Sequence, residues 1–183
     1  ENIDNKDFHN QRTWVDIEDI AQVMVRAVIA SEDGRFMTHH GFDFEEIDKM
    51  MDEHERKGKK IRGCSTISQQ TAKNCFTFGS KTWLRKGVEA YYTFLIELIW
   101  GKKRIMEVYL NVAETGKGLY GVEAASMKYF KRHASALTQD QAICLACILP
   151  NPLVRRPDNV SSRHRTKYDT VARNLKYTPY PFE

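Results

Sequence analysis

No stretch of this 183-residue sequence approaches the ~20 consecutive apolar residues that a membrane-spanning helix needs. The most apolar run, Tyr91–Trp100, is interrupted by Glu97. Glycine and proline are scarce, at 10 and 5, while 42% of residues are hydrophobic, which excludes fibrous and disordered classes. Internal repeats and low-complexity segments are missing as well. Runs of alternating apolar residues are almost absent, which leaves room for at most a small sheet. Neither zinc-finger spacing nor an aromatic-interleaved RNA motif is present, and a net charge of +4 is too small to argue for nucleic acid alone. Of the four cysteines, Cys144 and Cys147 fall at helical spacing in the apolar run 142–149 and read as core residues. Cys64 and Cys75 stay open, as a disulfide or as free thiols. The chain opens at Glu1 without an initiator Met or a leader, so we expect a segment of a longer, membrane-anchored protein.

What is present fits one mainly α domain over residues 1–183. Ile20, Val23, Met24, Ala27 and Val28 trace the stripe of a buried helix, with Asp16 and Asp19 as candidate N-caps and an end near Asp33. Further helices are predicted from Phe44 to about Lys57, Thr66–Asn74, Leu84–Trp100, Lys103–Leu110, Tyr120–Phe130 and Thr138–Leu149. Basic residues bunch at Arg56–Arg62, at Lys81 with Arg85 and Lys86, at Lys102–Arg104, at Arg155–Arg156 and from Arg163 to Lys167. Such clusters usually form solvated faces, but they also suit phosphates or an anionic membrane surface.

Three segments concentrate chemistry. Glu32 and Asp33 close the first helix, where a carboxylate is electrostatically misplaced and gains little stability, a setting that suits a general base. Gly63–Asn74 packs Ser65, Thr66, Gln69, Gln70, Lys73 and Asn74 around a helix start. Free backbone N–H groups there would face an anion, amides would hold sugar hydroxyls and Lys73 would face a phosphate. Arg85, Lys86 and Glu89 open the apolar helix, with Glu89 either in a plain i, i+4 ion pair or as a second carboxylate facing Glu32.

In this order the segments resemble glycosyltransferase family 51, the peptidoglycan glycosyltransferases, over roughly residues 14 to 175. The pattern E-D-x-x-F-x-x-H-x-G is met by Glu32, Asp33, Phe36, His39 and Gly41. G-x-S-T-I-x-Q-Q-x-x-K-N is met at every specified position from Gly63 to Asn74, and R-K-x-x-E by Arg85, Lys86 and Glu89. K-x-x-I-L-E-x-Y-L-N is met by Lys102, Ile105, Glu107, Tyr109, Leu110 and Asn111, with Met106 in place of Leu. Gly118 through Gly121, Ala124-Ala125, Tyr129-Phe130 and the turn Leu149–Pro152 also look like the family.

The resemblance implies a lysozyme-like helical fold with a smaller flexible jaw, roughly 42–80, on the outer (periplasmic) face of the bacterial cytoplasmic membrane. It implies a substrate of polyprenyl-diphosphate-linked disaccharide-peptide (lipid II) and a growing glycan strand, joined β-1,4 with inversion. Glu32 would deprotonate the acceptor 4-hydroxyl. Lys73, Lys81, Arg85 and Lys86 would stabilise the departing diphosphate, and Glu89 would orient the cations or help hold a divalent Mg or Mn. Asp33, Phe36, His39, Ser65, Thr66, Gln69, Gln70 and Asn74 are expected to bind substrate, and Glu107 and Asn111 to brace the cleft. No organic cofactor or nucleic acid is implied, while transpeptidases and other cell-wall synthesis proteins are plausible partners.

Two departures stand out. Asp48–Lys60 is highly charged where relatives carry an apolar, membrane-dipping stretch, so contact there is expected to be electrostatic. S-x-x-K and K-T-G are missing, so the transpeptidase domain of bifunctional relatives is not expected within this chain. The alternatives are a lysozyme-like or lytic enzyme that cleaves glycan, and a non-catalytic binder of the lipid-linked precursor.

Overall fold

The computed structural model describes residues 11–58, 63–77, 83–157 and 162–182. Among the described residues eight helices dominate: α1 (Gln22–Glu32), α2 (Phe44–Lys57), α3 (Ile67–Phe76), α4 (Trp83–Ile99), α5 (Gly101–Val112), α6 (Val122–Phe130), α7 (Gln139–Ile148) and α8 (Ser162–Leu175). A small sheet joins β1 (Gln11–Arg12), β2 (Glu114–Gly116) and β3 (Leu119–Tyr120) in the order β1-β3-β2. β1 runs parallel to β3, and β2 antiparallel to it. The mainly α expectation holds, with the sheet confined to a corner beside α6.

The helices form two groups around one continuous core. α1 packs on α7 and α8, and α3 packs on α4 and α5. α1 buries Met24, Val25, Ala27, Val28 and Ile29, the stripe read from the sequence. α7 opens with a reciprocal capping box between Thr138 and Gln141 and buries Cys147, as its position in an apolar run requires. α3 opens the same way, with Thr66 and Gln69, and buries Ile67, Thr71 and Ala72. α2 differs: Asp43 caps it through Glu46 N–H, but none of its residues is buried.

Several boundaries differ from the expectations. Asp16 precedes a short 3-10 turn, Ile17–Asp19, and α1 begins only at Gln22, without a side-chain cap. Ile20 is still buried, so its apolar signal belonged to the core and not to the helix. Tyr120 lies in β3, and Gly121, at φ +82°, is the N-cap of α6, which begins two residues later than predicted. Helix α8 went unpredicted because it is strongly polar and inserts Val171 and Leu175 into the core along one edge. Each such fully buried side chain contributes about 1.5–3 kcal/mol. Arg26 on α1 completes the attachment, donating from Nε to Thr178 O (2.7 Å) and from Nη2 to Leu175 O (3.0 Å) at the C-terminal end of α8.

Candidate active site

A cleft of about 760 Å³ lies between the two helix groups. Glu32, Ser65, Gln70, Lys73 and Glu89 line it, so the fold brings five of the expected site residues to one space. Glu32 enters as the last residue of α1. Its carboxylate is 8% exposed, and Oε1 lies 2.9 Å from Ser31 Oγ and 3.0 Å from Lys167 Nζ on α8. Ser31 Oγ is also 3.1 Å from Ala146 O, so its single proton is shared between the two acceptors.

Glu89 enters from the opposite wall. It is buried, accepts from Lys86 Nζ and lies 3.6 Å from Arg85 Nη1, both on its own helix. Glu89 thus makes the i, i+4 ion pair with Arg85, and it also lines the cleft that Glu32 lines. Lys73, one turn beyond Gln70, is exposed on the same cleft, and Asn74 beside it is exposed too. Lys81 lies outside the described residues, as do Lys59, Lys60 and Arg62 of the basic run.

The remaining motif residues face inward and hold one another. Asp33 is buried; its two oxygens lie 2.9 and 3.0 Å from His39 Nε2, and Oδ2 also accepts from Ile67 N–H at 2.9 Å. His39 Nδ1 has no partner among the described residues. Thr66 Oγ1 donates to Gly41 O at 2.6 Å and accepts from Gln69 N–H, while Gln69 Oε1 accepts from Thr66 N–H. The expected anion cradle at the α3 N-terminus is therefore filled from within. Thr66, Ile67 and Gln69 N–H all have protein acceptors, which spares buried donors the cost of going unpaired. Phe36 is fully buried, with Lys102 Nζ 4.6 Å from its ring centre. The loop can carry these residues past α4 because position 41 is glycine: at φ +90°, a Cβ there would meet Thr93 Cγ2 at 2.9 Å.

Gln70 is held at both ends of its amide. Nε2 donates to Ser65 O (3.2 Å), and Oε1 lies 3.3 Å from Tyr109 Oη. Burial, reinforced by the charges of Glu32 and Asp33, pushes the Tyr109 phenol well above its ordinary value, which keeps it a donor. Glu107 and Asn111 brace the segment that leads into α1. Glu107 Oε2 accepts from Ile17 N–H and Oε1 from Arg104, while Asn111 exchanges hydrogen bonds with the Val15 backbone in both directions.

Lys167, Arg155 and Ser31 are among the cleft residues not singled out as site residues from the sequence. Lys167 and Arg155 belong to basic clusters that read first as solvated faces, yet both line the cleft. Arg155 also donates to Cys147 O at 2.9 Å. The signal was their charge; what no local pattern could supply was the position of α8 beside α1. All four cysteines are free thiols, so Cys64 and Cys75 form no disulfide. Among the described residues, no group of three or more His, Cys, Asp or Glu is placed to hold a metal ion. Glu89, the carboxylate expected to assist one, already serves two cations of its own helix. The described residues alone therefore build no divalent-ion site.

Comparison with known proteins agrees with this geometry. A family model described as Transglycosylase matches residues 1–176. The chain is 50% identical over 168 residues to a protein of Haemophilus influenzae, covering 92% of this chain and 68% of that one. It is 52% identical over 165 residues to one of Bdellovibrio bacteriovorus, covering 88% and 66%. With one of Klebsiella oxytoca it shares 48% over 163 residues, covering 89% and 67%. All three carry the name biosynthetic peptidoglycan transglycosylase. Identity of this extent across a chain whose two cleft carboxylates fall in the expected motifs leaves one assignment: the chain belongs to the transglycosylase family.

Proposed function

We propose that this chain polymerises a polyprenyl-diphosphate-linked disaccharide-peptide, lipid II, into β-1,4-linked glycan of peptidoglycan, with inversion at the reacting anomeric carbon. The observation that carries the reading is one cleft that presents Glu32 on one wall and Lys73 with Glu89 on the other, Glu89 being paired in turn with Arg85 and Lys86 behind the lining. Glu32 takes the proton of the acceptor GlcNAc 4-hydroxyl as that oxygen bonds to C1 of the donor MurNAc. The C1–O bond to the diphosphate breaks, and its electron pair leaves with the phosphate oxygen. A diphosphate is already a good leaving group, so cations serve this step better than a general acid. Lys73, whose ammonium has no hydrogen-bond or ion-pair partner among the described residues, faces the developing charge. Glu89 holds Lys86 and Arg85 in place on the same wall. Asp33, His39, Thr66, Gln69 and Phe36 serve substrate indirectly, by fixing the α1 end against the α3 start. Ser65, Gln70 and Asn74 remain in reach of sugar or phosphate.

We further propose that α4 rests on the outer face of the cytoplasmic membrane. No helix among the described residues is long and apolar enough to cross a bilayer. Yet α4 exposes Trp83 (91%), Leu84, Tyr91, Phe94 and Leu98 (71%), spaced so that one stripe faces away from the core. This apolar stripe, and not the charged stretch of α2 alone, supports membrane contact. Phe94→Ser with Leu98→Ser is expected to weaken binding to lipid vesicles while leaving turnover of detergent-dissolved substrate unchanged.

Gel analysis of products tests the central reading. Lipid-linked disaccharide is expected to yield a ladder of glycan strands, with and without a chelator of divalent ions. Cleavage of finished glycan with no ladder would instead support the lytic alternative. Precursor binding without turnover would make the chain a non-catalytic binder.

A further inference from the structure

The ion pair between Lys167 and Glu32 joins residues far apart in the chain, and it engages one carboxylate oxygen only. Ser31 Oγ and Lys167 Nζ both meet Oε1, at 2.9 and 3.0 Å. Among the described residues, Oε2 accepts no hydrogen bond, and Glu32 lines the cleft. A carboxylate held at one oxygen cannot turn freely, so its second oxygen has a fixed direction. Lys167 is itself well placed to hold it. The Nζ is part of a side chain only 24% exposed, and α8 is anchored independently by Val171, Leu175 and the two Arg26 hydrogen bonds.

From this geometry we infer that Lys167 is a positioning residue for Glu32: with Ser31 it occupies Oε1 and leaves Oε2 as the oxygen that takes the acceptor proton. The inference rests on the reading of Glu32 as the base. In the step, the acceptor O–H bond breaks, a proton passes to Oε2, the acceptor oxygen bonds to C1 and the diphosphate departs with the C1–O electron pair. The Lys167 ammonium keeps its own proton throughout. It restrains the carboxylate plane from the Oε1 side.

The groups that face Glu32 come from every element around it. Ser31 and Asp33 lie on or beside α1, Tyr109 on α5, Cys147 on α7, Arg155 after α7 and Lys167 on α8. Across the cleft stand Lys73 and Glu89. Of these, only Ser31 and Lys167 make a hydrogen bond to the Glu32 carboxylate among the described residues. Tyr109 stays protonated, and Asp33 is committed to His39 and Ile67. Lys167 is therefore the cation whose removal should be felt most directly at Oε1.

The test uses the whole chain with lipid-linked disaccharide in detergent, comparing Lys167→Met, Lys167→Arg and wild type. Lys167→Met is expected to lower kcat by about tenfold or more, part of the rate that general-base assistance supplies. Its KM should stay within about twofold, because the loss falls on the reacting group and not on uniform binding. Lys167→Arg should recover most of the rate. A raised KM with unchanged kcat would overturn the inference and make Lys167 a substrate contact. Equal losses in the Met and Arg variants, with a lowered melting temperature in both, would also overturn it and make the pair structural. The base reading fails separately, through a Glu32→Gln variant that keeps its turnover whatever the Lys167 variants do.

Discussion

The two carboxylates of the cleft are both paired with cations, but the pairs are built in opposite ways. Glu89 meets Arg85 and Lys86 one turn back on α4, so its partners follow from helix geometry alone. Glu32 meets Lys167 across 135 residues of chain, and the pair exists only once α8 has docked beside α1. The local pair is made whenever α4 is helical; the distant pair reports that the cleft has been assembled. The difference points to a division of labour. Glu89 tethers the cations that the leaving group needs, whereas Glu32 keeps one oxygen open for a proton.

That contrast can be broken most forcefully at Glu32. Glu32→Gln keeps the shape, deletes the basicity and is expected to lower polymerisation by about 10²–10⁴-fold, with the melting temperature little changed. A variant that retained more than a tenth of wild-type turnover would remove Glu32 from its role. Next in size is Lys73→Ala, for which we expect a loss of about 10²-fold in kcat, the scale of one preorganised charge at a transition state. A drop in thermal stability with activity intact would make Lys73 a structural helix residue. Glu89→Gln should behave in the reverse sense to Glu32→Gln. It leaves the Arg85 and Lys86 charges without their carboxylate and is expected to cost about 1–3 kcal/mol of stability in chemical denaturation, with roughly tenfold lower turnover. Were Glu89→Gln to match Glu32→Gln in turnover while costing no stability, the two carboxylates would share one role.

The smallest effect concerns the floor beneath Glu32. Burial pushes the Cys147 thiol up to about 11, against the opposing pull of Lys167. A thiol whose folded value is raised above its ordinary 9.0 favours the native state fully below pH 9 and loses that contribution as pH rises through 11. Cys147→Val should therefore flatten the alkaline decline of stability across that window, by at most about 3 kcal/mol at its upper end. Identical pH profiles for the two proteins would show that this thiol stays neutral or becomes solvated without unfolding.

Much of this was legible beforehand, for identifiable reasons. α1, α4 and α7 carry apolar residues at helical spacing, and they lie where that spacing placed them, within a few residues at the ends. The motif residues Glu32, Ser65, Gln70, Lys73 and Glu89 do share one cleft. The sequence was silent where long-range docking decides. Lys167 sits in a helix with a polar pattern, so neither the helix nor its approach to Glu32 had a periodic signal. A second blind spot was satisfaction of the backbone. The hydroxyls and amides around Thr66 look like a cradle for a ligand, but Asp33 and Gln69 reach the same N–H groups first. Composition names the donors and acceptors; only the fold says which are already spent.

The glycine of the first motif has a wider consequence. At position 41 a single methyl group would strike Thr93, while a few residues on, α2 buries nothing at all. Tolerance to change should therefore alternate sharply along a short stretch of chain. In a library of all single substitutions selected for function, position 41 would accept glycine alone, and the outer positions of 45–57 would accept almost any polar residue. Drift among relatives would accumulate on α2 accordingly, making it the place where enzymes of this kind can be adapted to different surroundings without disturbing the chemistry next door.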